Sequence, residues 1–234
     1  MRPLRLVIFD CDGVLIDSEP ISARVVAEAM VGRGWPVSPD ECLHLFLGMS
    51  IEDMRPIIEA HVGPLSDAFL DELVARLVAR LAREVEPMRG AASVLRATGA
   101  LGLDWRIASN SSHPEMAAKF ARAGLAEAVR GRVHSATDVI ALGGRPKPAP
   151  DLFLAAAAAA SVEPGQCVVV EDSLPGVRGA VAAGMACYGF APHGGGDDLL
   201  AAGADRLVRS LAELPPLFQA LMGGDAEALI GVRA

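Results

Sequence analysis

The sequence predicts an α/β fold: a parallel sheet covered by helices on both faces, interrupted near its start by an all-helical insert. Three observations carry this expectation. A short β-branched and aromatic run, Leu4-Arg5-Leu6-Val7-Ile8-Phe9, ends abruptly in Asp10-Cys11-Asp12-Gly13. Residues 17–87 carry helical periodicity and no strand pattern. Beyond them, short apolar runs alternate with helical stretches, the pattern of parallel strands joined by helices.

Taken in order, residues 4–9 read as a buried strand and the acidic tetrad after them as a loop. Ile21, Val25, Val26 and Ala29 then repeat at helical spacing until Gly32, Gly34 and Pro36 break the pattern. Helices follow at 39–47 and 51–61. The clearest helix runs from Ser66, a plausible N-cap, to about Glu84, with Leu70, Leu73, Val74, Leu77, Val78 and Leu81 on one face. The insert spans roughly seventy residues, so the expected division is 1–16 with 88–234 for the sheet domain and 17–87 for the insert.

After Pro87 the expected elements are a helix at 90–98, a strand at 103–108, a helix at 113–123 and a short strand at 133–135. An alanine-rich helix at 150–160 precedes the apolar run Cys167-Val168-Val169-Val170, a buried strand. A helix at 175–183 stopped by Gly184, a strand at 187–190 and a last short strand at 207–208 complete the sheet. Gly194-Gly195-Gly196 reads as a loop rather than a phosphate cradle, because no strand–helix signature surrounds it. Residues 211–234 read as a surface helix and a loose tail.

Bulk properties narrow the class. The 234 residues are 52% hydrophobic and 21% charged, enough for a sizeable core and unlike a disordered chain. A formal charge of −8 with scattered acids argues against nucleic acid or anionic membrane as partners. Four cysteines without a C-x-x-C pair fit a reducing, cytoplasmic setting, and no N-terminal signal is expected. No apolar stretch is long enough to span a bilayer. A monomer is the expected state.

In a parallel sheet, ligands sit beyond the carboxyl ends of the strands. Those ends carry the unusual residues here: Asp10 and Asp12 after the first strand, Ser109-Asn110-Ser111-Ser112 after the second, Glu171-Asp172 after the 167–170 strand, with Arg145-Pro146-Lys147-Pro148 before the alanine-rich helix. Each has a bland reading alone, as a turn, a helix cap or a solvated loop. Together, four carboxylates at one edge would repel each other unless a cation intervenes. Oxygen donors without a His or Cys cluster favour magnesium over zinc. Lys147 adds a fixed positive charge, and Ser109 and Asn110 add donors suited to phosphate oxygens. Such a site can hold a metal and a phosphoryl group together.

These residues bring the chain to a family. Over about residues 4–210 it resembles the haloacid dehalogenase-like superfamily: Asp10-Cys11-Asp12-Gly13-Val14-Leu15 is similar to its first motif, Ser109 to the second, Lys147 to the third and Glu171-Asp172 to the fourth. The insert resembles the small helical cap of the branch that includes β-phosphoglucomutase, phosphoglycolate phosphatase and sugar-phosphate phosphatases. The resemblance implies a Rossmann-like core and a magnesium-dependent phosphatase acting on a small phosphorylated metabolite. Asp10 would be the nucleophile and Asp12 the general acid/base; Ser109, Lys147 and Asn110 would hold the phosphoryl oxygens, with Gly13 allowing close approach. The metal would be held by Asp10, the Asp12 carbonyl, Asp172 and Glu171, the last directly or through water. Glu19, with the neighbourhood of Ser22, residues 47–51 and Arg55, would read the leaving group.

Departures from the family pattern sort its chemistries. Asp12 argues against dehalogenation, which the resemblance associates with a non-acidic residue there. Phosphonate hydrolysis would need a cap lysine, and no lysine precedes Lys119. A β-phosphoglucomutase-like sugar phosphomutase is the alternative, since residues 48–53 resemble the mutases. Its arginine and histidine, however, are Ile51 and Ser22 here. Six insert arginines, Arg24, Arg33, Arg55, Arg76, Arg80 and Arg83, leave open a substitute grip on a second phosphate.

Overall fold

The structure, a computed structural model, describes residues 3–46 and 51–228. The first strand, β1 (Leu6–Phe9), is wholly buried, as a continuous apolar run requires when both faces of a sheet are covered. A short strand, β2 (Ile16–Asp17), leads into four helices: α1 (Glu19–Val31), α2 (Pro39–Phe46), α3 (Ile51–Val62) and α4 (Asp67–Glu84). Strand β3 (Glu86–Pro87) pairs with β2 in a two-stranded ribbon. The chain forms two compact units; Asp17–Glu86 is one and the flanking segments are the other, so Pro87 falls with the sheet.

Within the insert, Ser66 caps α4 by accepting a bond from the Phe69 amide at 3.3 Å. Such a cap contributes about 1 kcal/mol. Leu73 and Leu81 are buried; Leu70, Leu77 and Val78 are partly so, and Val74 is exposed, so the α4 stripe is narrower than its periodicity suggests. Residues 47–50, part of the expected leaving-group region, lie outside the described residues, as do the side chains of Glu52 and Asp53.

The second unit continues with α5 (Ala91–Ala100), β4 (Asp104–Ser109), α6 (His113–Arg122), α7 (Ala126–Val129), β5 (Val133–Ser135), α8 (Ala136–Ala141), α9 (Asp151–Ala159), β6 (Cys167–Glu171), α10 (Leu174–Ala182), β7 (Ala186–Phe190), α11 (Asp197–Ala201), β8 (Arg206–Val208) and α12 (Leu214–Met222). The six strands form one sheet in the order β5-β4-β1-β6-β7-β8, every pair parallel. The chain winds outward from β1 through β4 to β5, then returns to β1's other side at β6. The direction of winding therefore reverses between β1 and β6, where ligands of such sheets bind.

One core cluster joins Leu6 and Ile8 of β1 to Phe153 of α9 and Val177 and Ala180 of α10. On β1's other side, Phe9 meets Phe218 of α12 edge-on at 6.4 Å, and Phe218 stacks on Tyr188. Leu214, Phe218 and Leu221 are buried, so α12 is a core element with a covered face rather than a surface helix. The Tyr188 hydroxyl donates to the Ala228 carbonyl at 2.9 Å, which ties down part of the expected loose tail.

Candidate active site

Strand register sets the site. Phe9 pairs with Ile107 on one side and Val170 on the other, so Asp10, one residue on, stands level with Ala108, next to the end of β4, and with Glu171, the last residue of β6. Its amide still donates to the Val170 carbonyl at 3.0 Å, continuing the ladder by one bond. Asp10, Ser109 and Glu171 thus emerge from three adjacent strands at the reversal point.

Lys147 arrives from the loop before α9 and joins them. Its Nζ donates to Asp10 Oδ1 and Glu171 Oε1, both at 2.5 Å, and to the Ala108 carbonyl at 2.8 Å. All three ammonium protons are therefore engaged. The Lys147 side chain is 4% exposed and that of Glu171 0%. Burial works against the Lys147 cation, but the Asp10 and Glu171 carboxylates outweigh it and hold its pKa above the ordinary lysine range. Burial pushes the Asp10 carboxyl up to about 7; Lys147 opposes this, while Glu171 and Asp12 add to it.

Asp10, Glu171 and Asp172 each present a carboxylate oxygen within 4.8 Å of the others. Two glycines make room for this cluster. A Cβ on Gly13, whose φ is +73°, would fall 1.6 Å from Asp172 Oδ2, and one on Gly176 would fall 1.8 Å from the Glu171 carboxyl carbon. The all-oxygen donors fit a hard divalent cation such as magnesium. Both oxygens of Glu171 are engaged: Oε1 accepts from Lys147, and Oε2 accepts from the Ser173 amide at 3.1 Å and hydroxyl at 2.9 Å.

The run 109–112 divides its work. Ser109, buried at the end of β4, accepts from the Ser111 amide at 3.1 Å. Asn110 holds the backbone of Lys147 from both sides, accepting from its amide at 3.0 Å and donating to its carbonyl at 3.3 Å. The structure thus gives the Asn110 side chain a partner within the protein, where the sequence suggests a phosphate contact. Ser112 caps α6 in a reciprocal box with Glu115. Ser111 donates to Asp12 Oδ2 at 3.0 Å.

Lys119 is a site residue that motif reading misses. Its Nζ reaches both Asp12 oxygens at 2.8 Å from α6. A signal was available: Lys119 falls between Met116 and Phe120 on the apolar stripe of α6, where a lysine needs a partner.

In the other unit, Glu19 opens α1 and lines a narrow cleft with Ser22, Val26, Cys42, Phe46 and Met54. Arg55 is engaged by Glu59, Asp67 and the Leu65 carbonyl, at 3.0, 3.2 and 2.9 Å. Arg24 pairs with Glu84, Arg76 with Glu72, and Arg80 with Glu28 and Glu84, while Arg33 lies over the Phe69 ring. His113, to which the sequence assigns no catalytic role, pairs with Asp138 at 2.7 Å on the surface. The four cysteines are free and buried, and no helix among the described residues is long and apolar enough to cross a membrane.

The chain is 29% identical over 197 residues to 6-phosphogluconate phosphatase of Escherichia coli (strain K12), covering 82% of this chain and 86% of that protein. It is 31% identical over 221 residues to phosphoglycolate phosphatase of Xanthomonas campestris pv. campestris (strain 8004), covering 92% and 95%. Among solved structures, a HAD family hydrolase from Deinococcus radiodurans R1 with bound phosphate and sodium superposes with a TM-score of 0.79 at 34% identity, over 95% of this chain and 98% of that one. The family model for haloacid dehalogenase-like hydrolases matches residues 4–184, and the chain belongs to that family.

Proposed function

We propose that this protein is a magnesium-dependent phosphatase that hydrolyses a small phosphorylated metabolite, a sugar or sugar-acid phosphate, through an aspartyl-phosphate on Asp10. The observation that carries the reading is the meeting of Asp10, Lys147, Glu171 and Asp172 where the winding of the sheet reverses. Relatives named as 6-phosphogluconate and phosphoglycolate phosphatases support the substrate class. The sheet unit is the catalytic core in this reading, and residues 17–86 are a cap.

Asp10, Asp172 and the Asp12 carbonyl would hold the magnesium, with Glu171 completing the set directly or through water. The ion would neutralise the negative charge that otherwise opposes an anion approaching this acidic edge. Lys147 steadies Asp10 and, with Ser109 and the Asn110 amide, binds the phosphoryl oxygens. A carboxylate oxygen of Asp10 attacks phosphorus; the bond to the leaving oxygen breaks, and Asp12 supplies that oxygen's proton. Water then attacks the same phosphorus, Asp12 takes its proton, and the bond to Asp10 breaks. Gly13 leaves the space in which Asp172 sits. Glu19, as the resemblance implies, would contribute to choosing the leaving group.

Five of the six arginines of the cap favour hydrolysis over intramolecular transfer. A mutase must grip a second phosphate, yet Arg24, Arg55, Arg76 and Arg80 are paired with carboxylates and Arg33 stacks on Phe69. The four buried free thiols fit a reducing cytoplasmic setting. The protein acts as a monomer on a small molecule, without nucleic acid or membrane.

A phosphate-release screen over sugar phosphates, sugar-acid phosphates and phosphoglycolate, with and without magnesium, tests the reading. Release should require magnesium and vanish in Asp10→Asn. Wild-type turnover by Asp10→Asn would refute it; conversion of a hexose 1-phosphate to its 6-phosphate without free phosphate would favour the mutase.

A further inference from the structure

We infer that Lys119 and Ser111 form a positioning pair that fixes the Asp12 carboxylate for proton transfer to the leaving group. The assignment rests on the acid/base role proposed above for Asp12. It adds two residues that lie outside the four motifs.

A triangle of contacts carries it. Lys119 Nζ donates to Asp12 Oδ1 and Oδ2, both at 2.8 Å, and to Ser111 Oγ at 3.0 Å. Ser111 Oγ in turn donates to Asp12 Oδ2 at 3.0 Å. The ammonium has three protons and three acceptors, so its direction is fully determined. Ser111 is itself held from two sides: its amide donates to Ser109 Oγ at 3.1 Å, and its carbonyl accepts from Ser135 Oγ at 2.7 Å. Ser135 is fully buried at the end of β5. The orientation of Asp12 is therefore set from the ends of β4 and β5 as well as from its own loop.

The bland alternative is a lysine that merely stabilises the fold. Its placement argues against this. The Lys119 side chain is 5% exposed, between apolar neighbours on α6, whereas the Asp12 side chain is 31% exposed. A buried ion pair is weak evidence for stability, because an apolar residue fills the same space without the cost of desolvation. What the lysine provides, and an apolar residue cannot, is a fixed direction for a partly exposed carboxylate. A group that delivers a proton must be held within a fraction of an ångström of its productive position.

Leaving-group dependence separates positioning from folding. 4-Nitrophenyl phosphate releases a phenolate that needs no proton at neutral pH; benzyl phosphate, of similar size, releases an alkoxide that does. The ratio kcat/KM reports the first transfer to Asp10. Lys119→Met should lower it about 10–100-fold for benzyl phosphate and less than about 3-fold for 4-nitrophenyl phosphate, a fraction of full general-acid assistance. Asp12→Asn should show the same selectivity, more strongly, and Lys119→Arg should recover part of the loss. Should Lys119→Met not fold, Ser111→Ala carries the test, with the same selectivity and a smaller ratio. Equal losses on both esters, or wild-type kcat/KM on benzyl phosphate, would overturn the pair. If Asp12→Asn is selective and Lys119→Met is not, only the pair fails. If Asp12→Asn is itself unselective, the acid role fails and the pair with it.

Discussion

Gly13→Ala tests the carboxylate cluster against an internal control. Gly13 and Gly131 have nearly the same backbone, with φ of +73° and +72°, but nothing lies within 4 Å of a Cβ built on Gly131. Alanine at either position meets the left-handed penalty of about 1–2 kcal/mol. At Gly13 the new methyl also falls 1.6 Å from Asp172 Oδ2, and real Cβ contacts essentially never come under 3.0 Å. The oxygen must therefore retreat by roughly 1.4 Å, far beyond what a preorganised ligand set tolerates. Displacements of this size cost about 100-fold in rate. Urea unfolding in EDTA should show both variants folded, with Gly13→Ala destabilised at least as much as Gly131→Ala. Titration of phosphate release with magnesium should leave Gly131→Ala unchanged, while Gly13→Ala loses at least about 100-fold in kcat/KM at fixed magnesium. A wild-type magnesium response in Gly13→Ala would refute the cation site built around Asp172.

Three further outcomes follow from the same geometry. Lys147→Met keeps the stem but strands Asp10 and Glu171 in the interior; breaking a buried pair costs about 3–5 kcal/mol, read by denaturant unfolding at neutral pH, and a loss below about 1 kcal/mol would contradict the pairing. Burial raises the Asp10 carboxyl from an ordinary 3.8 to about 7, so in metal-free protein Asp10 subtracts stability progressively as pH rises from near 4 through about 7. Magnesium needs the ionised form, so its gain in melting temperature over EDTA should be larger at pH 8 than at pH 5.5; a gain independent of pH would contradict it. Ser66→Ala removes the cap of α4 and should destabilise the insert by about 1 kcal/mol, measured as earlier proteolysis or hydrogen exchange within 67–84.

How much was legible in the sequence depended on whether a residue's task was local. Strand β1 and strand β6 are continuous apolar runs, and their abrupt ends in Asp10 and Glu171-Asp172 mark the edge of the sheet without any knowledge of pairing. The Ser66 cap and the strands at 104–109 and 167–171 are local in the same sense. Strand order is not. That β1 sits between β4 and β6 decides which polar ends meet, and no periodicity contains it. Asn110 illustrates the difference: its position after β4 is readable, but its bonds to Lys147 span 37 residues. Lys119 meets Asp12 across 107 residues, and an isolated lysine on a short helix resembles a solvated one until its helical face is counted. The short helices α7, α8 and α11 have four to six residues each, too few for a periodic signal. Helix α12 does carry one, in Leu214, Phe218 and Leu221, and the buried rings of Phe9 and Tyr188 explain it.

Trapping the covalent intermediate tests the central claim most directly. Protein mixed with magnesium and a phosphate ester labelled in its phosphoryl group, quenched in acid within one turnover and digested, should yield a labelled peptide in which Asp10 carries an acyl phosphate sensitive to hydroxylamine. Asp10→Asn should yield none. Label on a different residue, or complete single-turnover release with no labelled peptide at any time point, would contradict nucleophilic attack by Asp10.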